Sequence, residues 1–145
     1  MNFKKLLLAL GVILLPSIIY SQTTNLKIDG IAKAVTFVDN GVDFNKTFVI
    51  IGDQFKPWEN AFMLAGIEVG TYYYDAKKNS NICSGDYAVT FDAVPSWTGT
   101  VTITDVRSKK VVGRIIIQNN WRFFHMPKPK HTSAQTRMLV AIKNL

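Results

Sequence analysis

The stretch Asp86–Gln118, DYAVTFDAVPSWTGTVTITDVRSKKVVGRIIIQ, carries the clearest alternation of apolar and polar residues in this 145-residue chain. It predicts three consecutive β-strands with two connections. In TVTITD, Val101 and Ile103 point to one face while Thr100, Thr102 and Thr104 point to the other, as a half-buried strand requires. In DYAVTFDAV, Tyr87, Val89 and Phe91 share a face, and Pro95 ends the run because it cannot donate to a ladder. VVGRIIIQ answers TVTITD across DVRSKK, a charged connection with no apolar pair to bury.

Working upstream, AKKNSNICSG reads as a loop. IEVGTYYYDA reads as a strand, with Ile67, Val69, Thr71 and Tyr73 alternating against Glu68, Tyr72 and Tyr74. Tyrosine is ordinary strand chemistry, and a stacking platform for sugars or bases is the functional alternative. KPWENAFMLAG predicts a short helix. Pro57 suits the first turn, Glu59 suits the positive end of the dipole, and Trp58, Ala61, Phe62 and Ala65 recur at helical spacing up to Gly66. The run Thr47 to Ile51 fits a strand buried on both faces. Before it, Leu26, Ile28, Val35 and Phe37 predict an edge strand or an extended lead-in, closed by the turn Asp39-Asn40-Gly41.

Downstream, NNWRFFHMPKPKHTS mixes aromatic and basic residues, and Pro127 and Pro129 predict an extended, exposed path. SAQTRMLVAIKNL then reads as a C-terminal helix capped by Ser133, with Met138, Leu139, Ile142 and Leu145 as its apolar stripe. The expected domain is α+β, with a mostly antiparallel sheet of about five to six strands covered by two helices, as layer architecture demands.

Residues 1–22 stand apart. Lys4 and Lys5 precede an apolar run from Leu6 to Leu15, and small or polar residues follow near Ser21 and Gln22. That is the layout of a cleaved secretory signal peptide, and Pro16 breaks the run well short of a membrane span. The expectation is a single domain over residues 23–145, periplasmic or secreted, with no transmembrane segment after cleavage. The lone cysteine, Cys83, excludes an internal disulfide and leaves no lipid-bearing cysteine at the end of the leader. It reads as a partly buried thiol in a loop, with a reactive one as the alternative.

Charge is unevenly spread. Residues 23–105 hold six Lys or Arg against ten Asp or Glu, whereas residues 106–145 hold nine Lys or Arg and no acid. This asymmetry points to an anionic partner or to a basic tail packed over the acidic half. The candidate anion-binding residues are Arg107, Lys109, Lys110 and Arg114 on the strand pair, with Arg122, Lys128, Lys130 and Arg137 on the tail. For an exported chain the matching ligands are lipopolysaccharide, acidic glycan or an acidic protein; nucleic acid would be held without sequence readout.

Enzyme motifs are missing from the sequence. His125 and His131 lie six apart without a neighbouring carboxylate, and there is no G-x-S-x-G, phosphate-cradling glycine loop or H-E-x-x-H. No catalytic residue, metal or cofactor is expected. A small hydrolase built on Asp53, Glu59, Asp86, Asp92 or Cys83 remains the third-ranked reading.

VDNGVDFNKTFVI resembles the opening of a group of uncharacterised bacterial envelope proteins, many of them lipoproteins, in which an Asp-Phe pair precedes a Lys-Thr-Phe-like strand. The later order, Thr47 to Ile51, Ala61 to Gly66, Asp86-Tyr87 and Thr100 to Asp105, resembles the amino-terminal α/β domain of TolB and its relatives. That resemblance spans roughly Asp43 to Leu145. It implies a non-catalytic envelope domain that works through protein contacts, and it supplies no catalytic residues.

Overall fold

The computed structural model describes residues 21–29, 34–92, 98–118 and 128–145, the side chains of 128–131 excepted. Its framework is a six-stranded sheet in the order β1-β2-β8-β7-β6-β3. The central meander is the stretch quoted first: β6 (Tyr87–Asp92), β7 (Gly99–Asp105) and β8 (Val111–Gln118). Its register places Val89 opposite Ile103, Phe91 opposite Val101, and Val101 opposite Ile115, so one face is continuously apolar. The expected α+β class, with a largely antiparallel sheet and two helices, is the architecture observed.

The N-terminal expectation needs correction. Leu26 to Phe37 is two strands, not one: β1 (Gln22–Leu26) forms the edge, and β2 (Ala34–Asp39) lies inside the sheet against β8. The signal in β2 is Val35 and Phe37, which are fully buried, while β1 is a polar strand whose pairing replaces burial. β3 (Phe48–Ile50) is buried at every position and pairs in parallel with β6, the one parallel pair in the sheet. A strand covered on both faces loses the alternation that marks its neighbours.

The first helix, α1 (Pro57–Leu64), starts at Pro57 and stops where Gly66 takes φ +75°, a left-handed conformation that suits glycine. Trp58, Ala61 and Phe62 bury its inner stripe. The second helix, α2 (Lys128–Lys143), begins about one turn earlier than expected. Lys128 and Pro129 are therefore helical rather than extended, because proline is tolerated in the first turn, where its missing N–H has no acceptor to lose. Ser133 consequently lies inside the helix, where its Oγ accepts from the Arg137 guanidinium at 2.6 Å instead of capping. Met138, Leu139 and Ile142 are buried as expected, together with Ala134, but Leu145 falls beyond the helix end and is exposed.

Both helices pack on the same face of the sheet, where Phe37, Phe48, Tyr87, Ile103, Ile115, Phe62 and Met138 belong to one apolar cluster. Within it Phe48 is stacked on Phe44 and edge-on to Tyr87. Such a core, burying about 1.5–3 kcal/mol per large side chain, carries the fold without a disulfide.

The remaining pair stands outside the main sheet. β4 (Thr71–Asp75) and β5 (Ser80–Ser84) form a two-stranded hairpin. The expected strand from Ile67 is thus shorter, with Val69 making only an isolated bridge to Phe48, and the expected loop through Cys83 contains β5. The root of the hairpin is tight: a Cβ at Gly70 would lie 2.1 Å from the Ser84 carbonyl oxygen.

Candidate functional site

Two surfaces emerge from the residues that the sequence singles out. The first is the end of the sheet that carries the β7–β8 turn. Asp105 closes β7, and its Oδ1 accepts from the backbone N–H groups of Arg107 and Ser108, both at 2.9 Å. Lys109 then adopts φ +62°, and the Asp105 N–H donates to the Lys110 carbonyl. This tight turn leaves Arg107, Lys109 and Lys110 exposed side by side. The N–H of Ser108 first, and that of Arg107 and the charge of Lys46 after it, hold the Asp105 carboxyl below its usual range.

Lys46 reaches this end from the connection between β2 and β3. Its ammonium lies 5.5 Å from the centre of the Tyr87 ring, and with Arg107, Asp86, Asp105, Gly85 and Val106 it lines an open groove of about 410 Å³. Lys46 is separated from Arg107 by about 60 residues, so nothing local in sequence associates them; the β3–β6 pairing does. Asp86 is spent on structure, since its Oδ2 accepts from the Thr47 N–H at 3.0 Å.

The other candidate cations are dispersed. Arg114 is exposed in the middle of β8, on the sheet face opposite the helices. The Arg137 guanidinium donates to the Asp29 carbonyl oxygen at 2.9 and 3.1 Å, and so ties α2 to the segment after β1. Lys128 and Lys130 lie in the first turn of α2, with side chains outside the described residues, and Arg122 and Pro127 lie outside them altogether.

The charge asymmetry has an unexpected outlet. The acids Asp39, Asp43, Asp75, Asp86 and Asp105 all accept from backbone N–H groups at turns and strand ends. Arg137 and Lys143 in turn donate to backbone carbonyls. The two halves meet the main chain, and these contacts do not pair acid with base.

The second surface is the β4–β5 hairpin. Asp75 uses the device seen at Asp105, accepting from the Lys77 and Lys78 N–H groups, while Asn79 takes φ +46° at the position equivalent to Lys109. Tyr72 opposes Cys83 and Tyr74 opposes Asn81, which puts these four on one face; Tyr73 and Ile82 occupy the other. Tyr72, Tyr73 and Tyr74 are 46, 48 and 59% exposed, so both faces of the hairpin present aromatic rings to solvent. Cys83 is half-buried, and burial pushes its thiol above the ordinary value, away from the thiolate that a nucleophile requires.

Two of the carboxylates considered for hydrolysis lie at the ends of β6 and two at or just before the start of α1. Asp86 and Asp92 bracket β6, about 20 Å apart along a six-residue strand, whereas paired glycosidase carboxylates lie roughly 5–9.5 Å apart. Glu59 sits in the first turn of α1 and Asp53 in the 3-10 turn before it. Among the described residues no cluster of three or more His, Cys, Asp or Glu is placed to hold a metal ion, and no helix is long and apolar enough to cross a membrane. Compared with protein-family models, curated proteins and solved structures, the chain matches none.

Proposed function

We propose that this chain is an exported, non-catalytic domain of the cell envelope that acts through protein–protein contacts, with the β4–β5 hairpin as its contact element. The observation that carries this reading is the exposure of three consecutive tyrosines on a hairpin held to the sheet mainly at its root. A two-stranded hairpin is marginally stable by itself, and rigid amphipathic tyrosines are enriched at protein interfaces. Neither strand carries Lys, Glu or Pro, the residues that commonly blunt an exposed edge. The leader-like N-terminus and the resemblance of its motifs to TolB-type envelope domains support export and a partner in the same compartment.

The test is a pull-down from envelope extract, using the mature protein and eluting with rising salt. The native chain should hold one protein through high salt, as an apolar interface does, and a Tyr72→Ser, Tyr73→Ser, Tyr74→Ser variant should lose it. Retention of that protein by the triple variant would refute the hairpin as the contact.

A further inference from the structure

The face of the sheet turned away from the helices carries a pattern that the hairpin reading does not use. Between β1 and β6 every outward side chain is half-buried or exposed, so no described element covers this face. Register assembles one row across five strands: Thr23, Val38, Arg114, Thr102 and Thr90. The next row brings Thr36, Ile116 and Thr100 together, with the Thr36 hydroxyl donating to Asn25 Oδ1 at 2.9 Å. At about 4.8 Å per strand the first row is roughly 19 Å wide.

The chemistry of these rows is unusual for a wet sheet. Exposed protein surface is ordinarily about 25–35% charged, with both signs interspersed. Here Arg114 is the single cation, it lies in the centre, and Asp92 at the margin is the single carboxylate. Arg114 has no hydrogen-bonded or ion-paired partner among the described residues. Around it are threonine hydroxyls, which both donate and accept, set between methyl groups of Thr, Val38 and Ile116 that make an apolar floor. A guanidinium matches a carboxylate through two parallel N–H···O bonds, and an array of hydroxyls matches a ligand rich in hydroxyls.

We infer that this face, centred on Arg114, binds a carboxylated polysaccharide. Arg114 takes a uronate carboxylate, the threonines exchange hydrogen bonds with ring hydroxyls, and the methyl floor meets the C–H faces of the sugars. A second copy of this chain fits poorly, because a two-fold pairing about the centre of the face would set Arg114 against Arg114. The inference is independent of the tyrosine hairpin, and it separates Arg114 from the turn cations with which the sequence grouped it.

The experiment is affinity electrophoresis of the mature protein through gels containing polygalacturonate or neutral dextran, at a fixed salt of about 0.1 M, where the Debye length is about 10 Å. Native protein should be retarded by polygalacturonate and not by dextran. Arg114→Gln should weaken retardation about tenfold or more, and Arg114→Lys, which keeps the charge without the fork, should fall between. Thr102→Val should weaken it further than its unchanged charge predicts. The Arg107→Gln, Lys109→Gln, Lys110→Gln variant should stay within about threefold of native, since those side chains lie off this face. Unaltered circular dichroism and melting temperature establish that each variant folds. Equal retardation by dextran, no retardation of native protein, native behaviour in Arg114→Gln, or loss that tracks the turn variant would each overturn the assignment.

Discussion

The ammonium of Lys143, the last helical residue of α2, donates to the carbonyl oxygens of Ala65 and Gly66 at 3.4 and 3.0 Å. A side chain near the C-terminus of the chain thus satisfies carbonyls that the end of α1 leaves without intrahelical partners, and places a positive charge at the negative end of that helix. Lys143→Met keeps the aliphatic stem and removes the donor. We expect a loss of about 1 kcal/mol, seen as a lower urea midpoint at unchanged slope. Lys143→Arg should recover most of it.

Asp105 gives the fold a defined acid response. Its folded carboxyl titrates below the ordinary 3.8 because the Ser108 N–H, above all, bonds the charged form. A depressed folded value means stabilisation that is fully present above the unfolded value and lost as pH falls through the folded one. Asp105→Asn preserves an acceptor for the turn but does not titrate. The melting-temperature difference between native protein and Asp105→Asn should therefore be constant above about pH 5 and shift against the native chain below about pH 4. A difference independent of pH down to 2 would contradict the assigned bonds.

Gly70 sets how closely the two strands of the hairpin approach at their root. A methyl group there would meet the Ser84 carbonyl at 2.1 Å and the Thr47 and Val49 methyls at 3.1 Å. Gly70→Ala must spread the root, at a cost of about 2 kcal/mol by chemical denaturation. Hydrogen exchange should show the loss first at β4 and β5, with the β6–β8 amides protected as before.

The parts of this fold that were legible in sequence are those where one physical signal acts alone. The meander around Val89, Val101 and Ile115 shows strict alternation because one face is packed and the other open. α1 was legible through Pro57, the Trp58–Phe62 spacing and Gly66. β5 was not, because SNICS has one aliphatic residue and both of its faces are wet. Yet DAKKNS and DVRSKK close their hairpins in the same way, with an aspartate accepting from the second and third following N–H groups and a left-handed residue at the fourth. Reading the first turn by analogy with the second would have found β5. The early start of α2 was hidden by Pro129, whose usual meaning as a breaker does not hold in a first turn. The placement of Lys46 beside Arg107 and the isolation of Arg114 depend on strand order, which no local pattern encodes.

The pairing of β2 with β8 and of β3 with β6 has a consequence for how the molecule is made. A ribosome, or any channel that passes the chain N-terminus first, delivers Phe37 and Phe48 long before Ile115 and Tyr87, the residues they face across the ladder. β2 emerges with only the polar edge strand β1 to pair with, and β3 emerges before its sheet neighbour β6. The side chains of β3 wait for β6 and those of β2 for β8, and the meander, whose contacts are local, is complete only once Gln118 has emerged. A chain cut short before β8 would carry Val35 and Phe37 uncovered by the strand they pair with.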